Sequence, residues 1–282
     1  MKAIILNLSA WVMLPIMDGF AKYLSSTLPV LQITWSRYFF TVVIALPIML
    51  IFFRKNLTWT EQPKLQLIRG LLLFCANVLF FYSISIISLS KALTLAFIAP
   101  LIVTILSPVL LGEKVGLRRW AAVIIGFIGS LIVIRPGFVE INLASIAALG
   151  TGVLYGFYLI VTRKLHNSDH PLLTLLLTGV VGAILGTMIM PTVWVQPTIT
   201  EWYMMFAIGF FASIGHLFLI LSLRYADASK LAPFSYFEIV TNVIIGFYFF
   251  NHFPDNWTFI GLFIIVSTGV YIFRREAQIK SN

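Results

Sequence analysis

Ten long apolar stretches follow one another along this chain, and short polar segments separate them. A helix needs roughly 20 apolar residues to cross the hydrocarbon core of a bilayer, because that core is about 30 Å thick. The sequence therefore predicts an all-α membrane protein with ten transmembrane helices and no separate soluble domain. We number the predicted spans in chain order, and they cover residues 3–24, 29–53, 66–87, 91–112, 117–135, 143–164, 170–192, 202–223, 229–250 and 256–273.

The low fraction of charged residues supports the prediction of a membrane protein. Only 10% of the residues are charged and the mean hydropathy is +0.99, which leaves too little polar surface for a water-soluble domain. A net charge of +9 could indicate nucleic-acid binding, but the basic residues form short clusters between apolar runs. Clusters of this kind are typical of cytoplasmic loops, so no nucleic-acid partner is expected. The single cysteine, Cys75, excludes an intramolecular disulfide and a thiolate metal site.

The distribution of Lys and Arg predicts the orientation of the spans. With a cytoplasmic N-terminus, 15 of the 19 basic residues fall on the cytoplasmic side and only Lys22, Lys91 and Arg135 fall outside. Arg37 lies within a span. We therefore predict a multi-pass protein of a bacterial-type inner membrane with both termini cytoplasmic. The first apolar stretch is superficially similar to a signal peptide, but Asp18 interrupts it, so a retained helix is expected.

A weak internal repeat divides the ten spans into two sets of five. A shift of 138 residues aligns residues 90–114 with residues 228–252, and a shift of 137 places Trp120 on Trp257. Because five is odd, the second copy would be inverted in the membrane, as in many secondary transporters. The predicted halves are residues 1–138 and 139–282.

Four groups of residues resemble the drug/metabolite transporter superfamily, in particular its EamA-type members with ten helices. The similarity covers essentially the whole chain. It implies inverted five-helix repeats around a central substrate cavity that spans 1–4 and 6–9 line, with spans 5 and 10 at the periphery. Glu238 departs from many relatives, which have an uncharged residue there. The stretches that carry the resemblance are Met17-Asp18-Gly19-Phe20-Ala21-Lys22-Tyr23, Trp35-Ser36-Arg37-Tyr38, Ala99-Pro100-Leu101 with Leu111-Gly112-Glu113-Lys114, and Pro233-Phe234-Ser235-Tyr236.

Charged groups inside spans are costly and are candidates for function. Asp18 and Lys22 share one helical face with Trp11 and are predicted to form an intrahelical pair, or Asp18 pairs with Arg37 on the next span. Direct contact between Arg37 and a substrate carboxylate is the alternative. Glu238 has no obvious basic partner, so it is a candidate for binding a cationic group or coupling protons. The structural alternative is a neutral carboxyl group bonded between helices.

Polar and aromatic side chains complete the predicted site. Tyr155 and Tyr158 lie on one face of span 6 and could hold a ring or a cation. Glycines in spans 6 and 7 are expected to serve close helix packing. Prolines at positions 15, 47, 100 and 108 are expected to loosen spans 1, 2 and 4. The residues predicted to bind substrate are Trp11, Asn77, Tyr155, Tyr158, His216, Glu238 and Asn242, with a charge network of Asp18, Lys22 and Arg37.

These features predict a secondary transporter that moves a small organic metabolite, amino-acid-like or an organic amine, by alternating access. Proton coupling and the choice between monomer and homodimer remain open. The sequence lacks the H-E-x-x-H, G-x-S-x-G and phosphate-loop motifs, so no enzyme, cofactor or metal site is predicted. Two other hypotheses are a membrane-embedded transferase and a receptor that does not transport.

Overall fold

The computed structural model describes residues 1–134, 142–250 and 255–279, and the regular elements in these ranges are helices. Short 3₁₀ segments cover Arg54–Asn56 and Ala232–Tyr236, and the second joins α10 to α11. The α-helices are α1 Lys2–Leu24, α2 Val30–Phe52, α3 Pro63–Ile86, α4 Leu89–Ala96, α5 Ala99–Leu111, α6 Leu117–Ile134, α7 Leu143–Lys164, α8 Pro171–Val193, α9 Ile199–Tyr225, α10 Ala228–Leu231, α11 Phe237–Phe250 and α12 Asn256–Ile279.

The helices confirm the predicted all-α membrane fold with ten helical segments. Within the described residues, seven segments are long and apolar enough to cross a membrane: α1, α2, α3, α7, α8, α9 and the segment that combines α4 with α5. The other three predicted spans form α6, the α10–α11 segment and α12. The predicted boundary between the halves, at residue 138, and the basic residues Arg135 and Lys280 lie outside the described residues.

Packing between helices follows a two-fold pattern. The first span packs on the eighth (α1 on α9), the third on the sixth (α3 on α7), the second on the seventh (α2 on α8) and the fifth on the tenth (α6 on α12). Span 4 packs on α7 of span 6, and α11 of span 9 packs on α1. Exchanging spans 1–5 with spans 6–10 maps this set of contacts onto itself, as two inverted five-helix repeats require.

Two equivalent spans, the fourth and the ninth, are each interrupted in their first third. Span 4 is interrupted between α4 and α5, just before Pro100, and span 9 changes to a 3₁₀ segment that contains Pro233. The helices α1 and α2 run without interruption through Pro15 and Pro47. Of the four prolines that were expected to loosen spans, only Pro100 therefore lies at an interruption, since α5 also continues through Pro108. Span 9, which the prediction did not include, is also interrupted, at the segment that contains Pro233.

Glycines hold the second half of the chain tightly against the first. A methyl group at Gly152 of α7 would lie 2.6 Å from the carbonyl oxygen of Ala96, at the break in span 4. On α8, a methyl group at Gly186 would lie 3.0 Å from Cβ of Trp35, and one at Gly182 would collide with the ring of Tyr38. The predicted packing role of these glycines is confirmed.

Candidate functional site

A cavity of about 710 Å³, counting its open mouth, lies between the two broken spans. Phe97 and Pro100 from span 4 and Ser235 and Glu238 from span 9 form part of its wall. The remaining wall is mostly apolar, with a few polar groups, which is the usual composition of a small-molecule site. The other polar and aromatic lining residues are Trp11, Asp18, Arg37, Asn77, Phe80, Thr151, Tyr155 and His216.

Two carboxyl groups face this cavity without a partner. Asp18 is 5% exposed and Glu238 is 8% exposed. In the described part of the chain, neither carboxyl group makes a hydrogen bond or an ion pair with a protein group, although α1 and α11 pack against each other.

The predicted charge network is not formed. Lys22 Nζ donates to the carbonyl oxygens of Ile84 and Ile87, at the end of α3, rather than to Asp18. Arg37 donates to Tyr38 Oη (2.9 Å) and to His216 Nε2 (2.5 Å), also without an ion pair to Asp18 among the described residues. Helix spacing placed Asp18 and Lys22 on one face, but the carbonyls of the neighbouring helix end offered Lys22 another set of acceptors.

A chain of buried hydrogen bonds continues from Arg37 away from the cavity. His216 Nδ1 lies 2.9 Å from Tyr158 Oη, and Arg69 Nη2 donates to the same hydroxyl (2.8 Å). An arginine can only donate, so His216 Nε2 must accept from Arg37. The histidine is therefore neutral, carries its proton on Nδ1 and donates it to Tyr158. A protonated His216 would lose its bond to Arg37.

Arg69 is the main member of this series of hydrogen bonds that was not singled out from the sequence, because it was counted among the cytoplasmic charges. It is fully buried in α3 and also donates to Thr162 Oγ1 (2.8 Å), to the carbonyl of Thr174 (3.0 Å) and to Thr178 Oγ1. These threonines lie on α7 and α8, about a hundred residues away in the chain. Its position within span 3, rather than in a loop, was the available signal.

Tyrosines 155 and 158 do not share one cavity. Tyr155 lines the main cavity, stacks on Tyr158 with ring centroids 5.3 Å apart, and has a hydroxyl without a hydrogen-bond partner. Tyr158 instead lines a small neighbouring void, with Arg37, Arg69 and His216. The prediction that Tyr158 bounds the main cavity is therefore wrong, because its hydroxyl is held by Arg69.

Of the other residues predicted to bind substrate, Trp11 and Asn77 line the main cavity and Asn242 does not. Trp11 lies edge-on to Tyr155, with centroids 6.4 Å apart, and its Nε1 donates to Asn7 Oδ1 (2.8 Å). Asn77 lines the cavity and donates to Tyr38 Oη (2.9 Å). Asn242 is not part of the wall, and its amide donates to the backbone oxygen of Glu238 (3.0 Å). Its predicted place in the cavity is wrong, since the bond holds its amide against its own helix.

A group of ion pairs closes one end of the bundle, which we call the charged end and define by Glu113, Arg119, Arg163 and Asp227. Gly112 ends α5 with a left-handed backbone (φ 68°), which only glycine adopts readily. This turn directs Glu113 to the start of α10, where it accepts from the backbone N–H groups of Ala228 (2.9 Å) and Ser229 (3.0 Å). The carboxylate thus joins the end of span 4 to the start of span 9.

Arginines complete the charged end. Arg163 donates to Glu113 (3.3 Å), to Asp227 (3.0 Å) and to the carbonyl oxygen of Leu223 (2.8 Å). Arg119 lies 3.5 Å from Asp227. Spans 4, 5 and 6 are therefore tied to the connection between spans 8 and 9, and each described acid in this cluster has a basic partner.

Known proteins with similar sequences are transporters. The chain is 28% identical over 265 residues to an S-adenosylmethionine uptake transporter of Rickettsia bellii, covering 94% of this chain and 91% of the relative. It is 26% identical over 275 residues to a riboflavin transporter of Vibrio cholerae, covering 96% and 92%. It is also 26% identical over 264 residues to a pseudopaline exporter of Pseudomonas aeruginosa, covering 93% and 92%.

A solved crystal structure shows the same fold. It has a TM-score of 0.79 and 17% sequence identity, and the match covers 99% of both chains. The EamA-like transporter family matches residues 1–135 and 142–274. Two such matches cover most of the chain, with one in each half. This protein therefore belongs to the EamA-like transporter family within the drug/metabolite transporter superfamily, and it is a multi-pass membrane transporter of small molecules.

Proposed function

We propose that this protein is a secondary transporter for a small organic metabolite with a positively charged amine or a similar cationic centre. The observation that carries the proposal is the pair of carboxyl groups on the wall of the central cavity, Asp18 and Glu238, which have no hydrogen-bond or ion-pair partner among the described residues. A charge buried without a partner costs several kcal/mol in a membrane interior, and a cationic ligand would offset that cost.

Aromatic rings beside the carboxyl groups suit the same ligand. Trp11, Tyr155 and Phe97 line the cavity, and their faces can attract a cation or stack on a planar ring. S-adenosylmethionine combines a sulfonium cation, an ammonium group and an adenine ring, and it is the substrate named for the relative from Rickettsia bellii. We therefore propose S-adenosylmethionine and related cationic amino-acid derivatives as the first substrates to test.

The two broken spans support alternating access between two five-helix halves, residues 1–138 and 139–282. Broken helices at the midplane commonly surround the binding site of secondary transporters. In this proposal the charged end faces the cytoplasm, as do both termini, in a bacterial-type inner membrane. Rearrangement of spans 4 and 9 opens the cavity to one side at a time. Coupling to protons takes place at Glu238, which releases its proton when the cationic substrate binds.

Thermal stabilisation of the purified protein by amino acids, quaternary amines, nucleosides and vitamins provides the first test. Cationic compounds should stabilise the wild type, and Glu238→Gln should lose that response without losing its fold. Radiolabelled S-adenosylmethionine is then followed into proteoliposomes with and without a pH gradient. Asn242→Ala is the matched control, since it changes the same helix outside the cavity. Equal uptake by wild type and Glu238→Gln at every pH would contradict the role of Glu238.

A further inference from the structure

The cavity wall also carries the buried positive charge of Arg37, which forms no ion pair among the described residues. We propose that Arg37 binds the carboxylate of the transported molecule, so that the substrate is an α-amino acid with an additional cationic centre. This inference rests on the proposed function, which assigns the cationic part of the substrate to Asp18 and Glu238.

The contacts of Arg37 leave its charge unmatched. The side chain is 2% exposed, and its two bonds go to neutral groups, the hydroxyl of Tyr38 and the imidazole of His216. Its Nε–H finds no acceptor among the described residues. A guanidinium has five N–H donors and cannot lose its charge in a protein, so the arrangement lacks both an acceptor and an anion.

Neighbouring groups cannot supply the missing acceptor. The hydroxyl of Tyr38 already accepts a second bond from Asn77 (2.9 Å), and the one accepting nitrogen of His216 is used by Arg37 itself. Behind His216, Arg69 adds a second buried positive charge to the same cluster. The cluster is therefore rich in donors, and a carboxylate, with two oxygens in one plane, matches the fork of Arg37.

Charges of both signs line one cavity without pairing with one another. Asp18, Glu238 and Arg37 all belong to its wall, and no ion pair joins them in the described structure. With both acids ionised and His216 neutral, the wall has one negative charge in excess. An α-amino acid with a second cationic centre has one positive charge in excess, and it can present its carboxylate and its cations to opposite charges of the wall.

Matched pairs of ligands that differ only in the α-carboxylate test the inference. The main pair is S-adenosylmethionine and decarboxylated S-adenosylmethionine, and the second pair is lysine and cadaverine. Equilibrium binding is measured by calorimetry on the full chain in lipid nanodiscs. We expect the wild type to bind S-adenosylmethionine about tenfold more tightly than its decarboxylated form, a free-energy difference of about 1.4 kcal/mol.

Substitutions at position 37 locate the effect. Arg37→Gln should weaken S-adenosylmethionine binding about tenfold and change binding of the decarboxylated form less than twofold, so that selectivity disappears. Retained binding of the decarboxylated form shows that the variant is folded. Arg37→Lys should recover part of the selectivity, because it keeps the charge but not the fork. Asn242→Ala should preserve the wild-type ratio.

The outcomes separate this inference from the function on which it rests. If the wild type binds both members of each pair equally, or if Arg37→Gln weakens both equally, Arg37 does not recognise the carboxylate and the cation-binding function stands. If no member of either pair binds the wild type, both the inference and the proposed function fail.

Discussion

The charged end and the central cavity both contain acidic residues and arginines. In the described structure these residues form ion pairs at the charged end but not in the cavity. At the charged end, Glu113 and Asp227 both contact Arg163, and Glu113 also accepts backbone hydrogen bonds. In the cavity, Asp18 and Glu238 form no ion pair with any residue that the structure describes, although α1 and α11 pack together.

Ion pairing therefore distinguishes charged residues that stabilise the fold from charged residues that are available to bind a ligand. A carboxylate whose bonds are all made by the protein has no capacity left for substrate, whereas an unpaired one carries an energetic cost that is removed by taking up a proton or by binding a cation. The comparison predicts large losses of stability at the charged end and large losses of binding in the cavity, each with little effect on the other property.

Arg163→Met should give the largest loss of stability at the charged end, because it leaves both Glu113 and Asp227 without this partner. Breaking a buried ion pair costs roughly 3–5 kcal/mol, and about 2 kcal/mol is expected here because Asp227 is 40% exposed. Thermal unfolding in detergent provides the measurement. Arg37→Met is the matched control in the cavity and should change the unfolding free energy less, since Arg37 has no ion pair to lose. An equal loss in both variants would remove the proposed distinction.

Glu113→Gln and Glu238→Gln should have opposite effects. The amide at position 113 cannot accept all the bonds that Ala228, Ser229 and Arg163 donate, so the unfolding free energy should fall by about 1–2 kcal/mol. At position 238 the change replaces a carboxyl group that has no hydrogen-bond or ion-pair partner among the described residues, so stability should stay the same or rise while binding of cationic ligands falls. Melting curves with and without S-adenosylmethionine test both parts. A large loss of stability in Glu238→Gln would identify a structural role instead.

Gly152→Ala should disturb the contact that holds α7 at the break in span 4. The added methyl group would meet the Ala96 carbonyl at 2.6 Å and Ile98 Cγ2 at 2.5 Å, and overpacking of this kind costs about 1–3 kcal/mol. Gly19→Ala is the control, because a methyl group there meets no atom within 4 Å. Uptake and thermal unfolding of both variants are compared. Wild-type stability and uptake in Gly152→Ala would show that the close contact is not needed.

Asn242→Ala should give the smallest effect. Its amide bonds only to the backbone of its own helix and lies outside the cavity wall, so uptake should change less than twofold. Initial rates in proteoliposomes, corrected for the amount of inserted protein, provide the measurement. A tenfold loss would place Asn242 in the transport pathway after all.

Predictions from sequence succeeded where a local rule was sufficient. Asp18 and Glu238 were singled out because charged groups inside a span are costly, and the structure places both on the cavity wall, where their binding roles stay predictions. Asn242 and Tyr158 were placed there by helical spacing alone, and both face other partners. Spacing along one helix predicts on which face a side chain lies. It does not predict what that side chain contacts, because the residues that pack against the face belong to another span.

The sequence by itself determined that ten apolar segments cross a bilayer, because each must be about as long as the hydrocarbon core is thick and must satisfy its own backbone. Only the tertiary structure decided which charges are paired. Arg69 meets Thr162 and Thr178, and Glu113 meets Ala228, across about a hundred residues of chain. Such contacts form only when separate spans pack together. Asp18, Arg37 and Glu238 can therefore be identified as groups without an ion pair only once the partners of the other described charged residues are known.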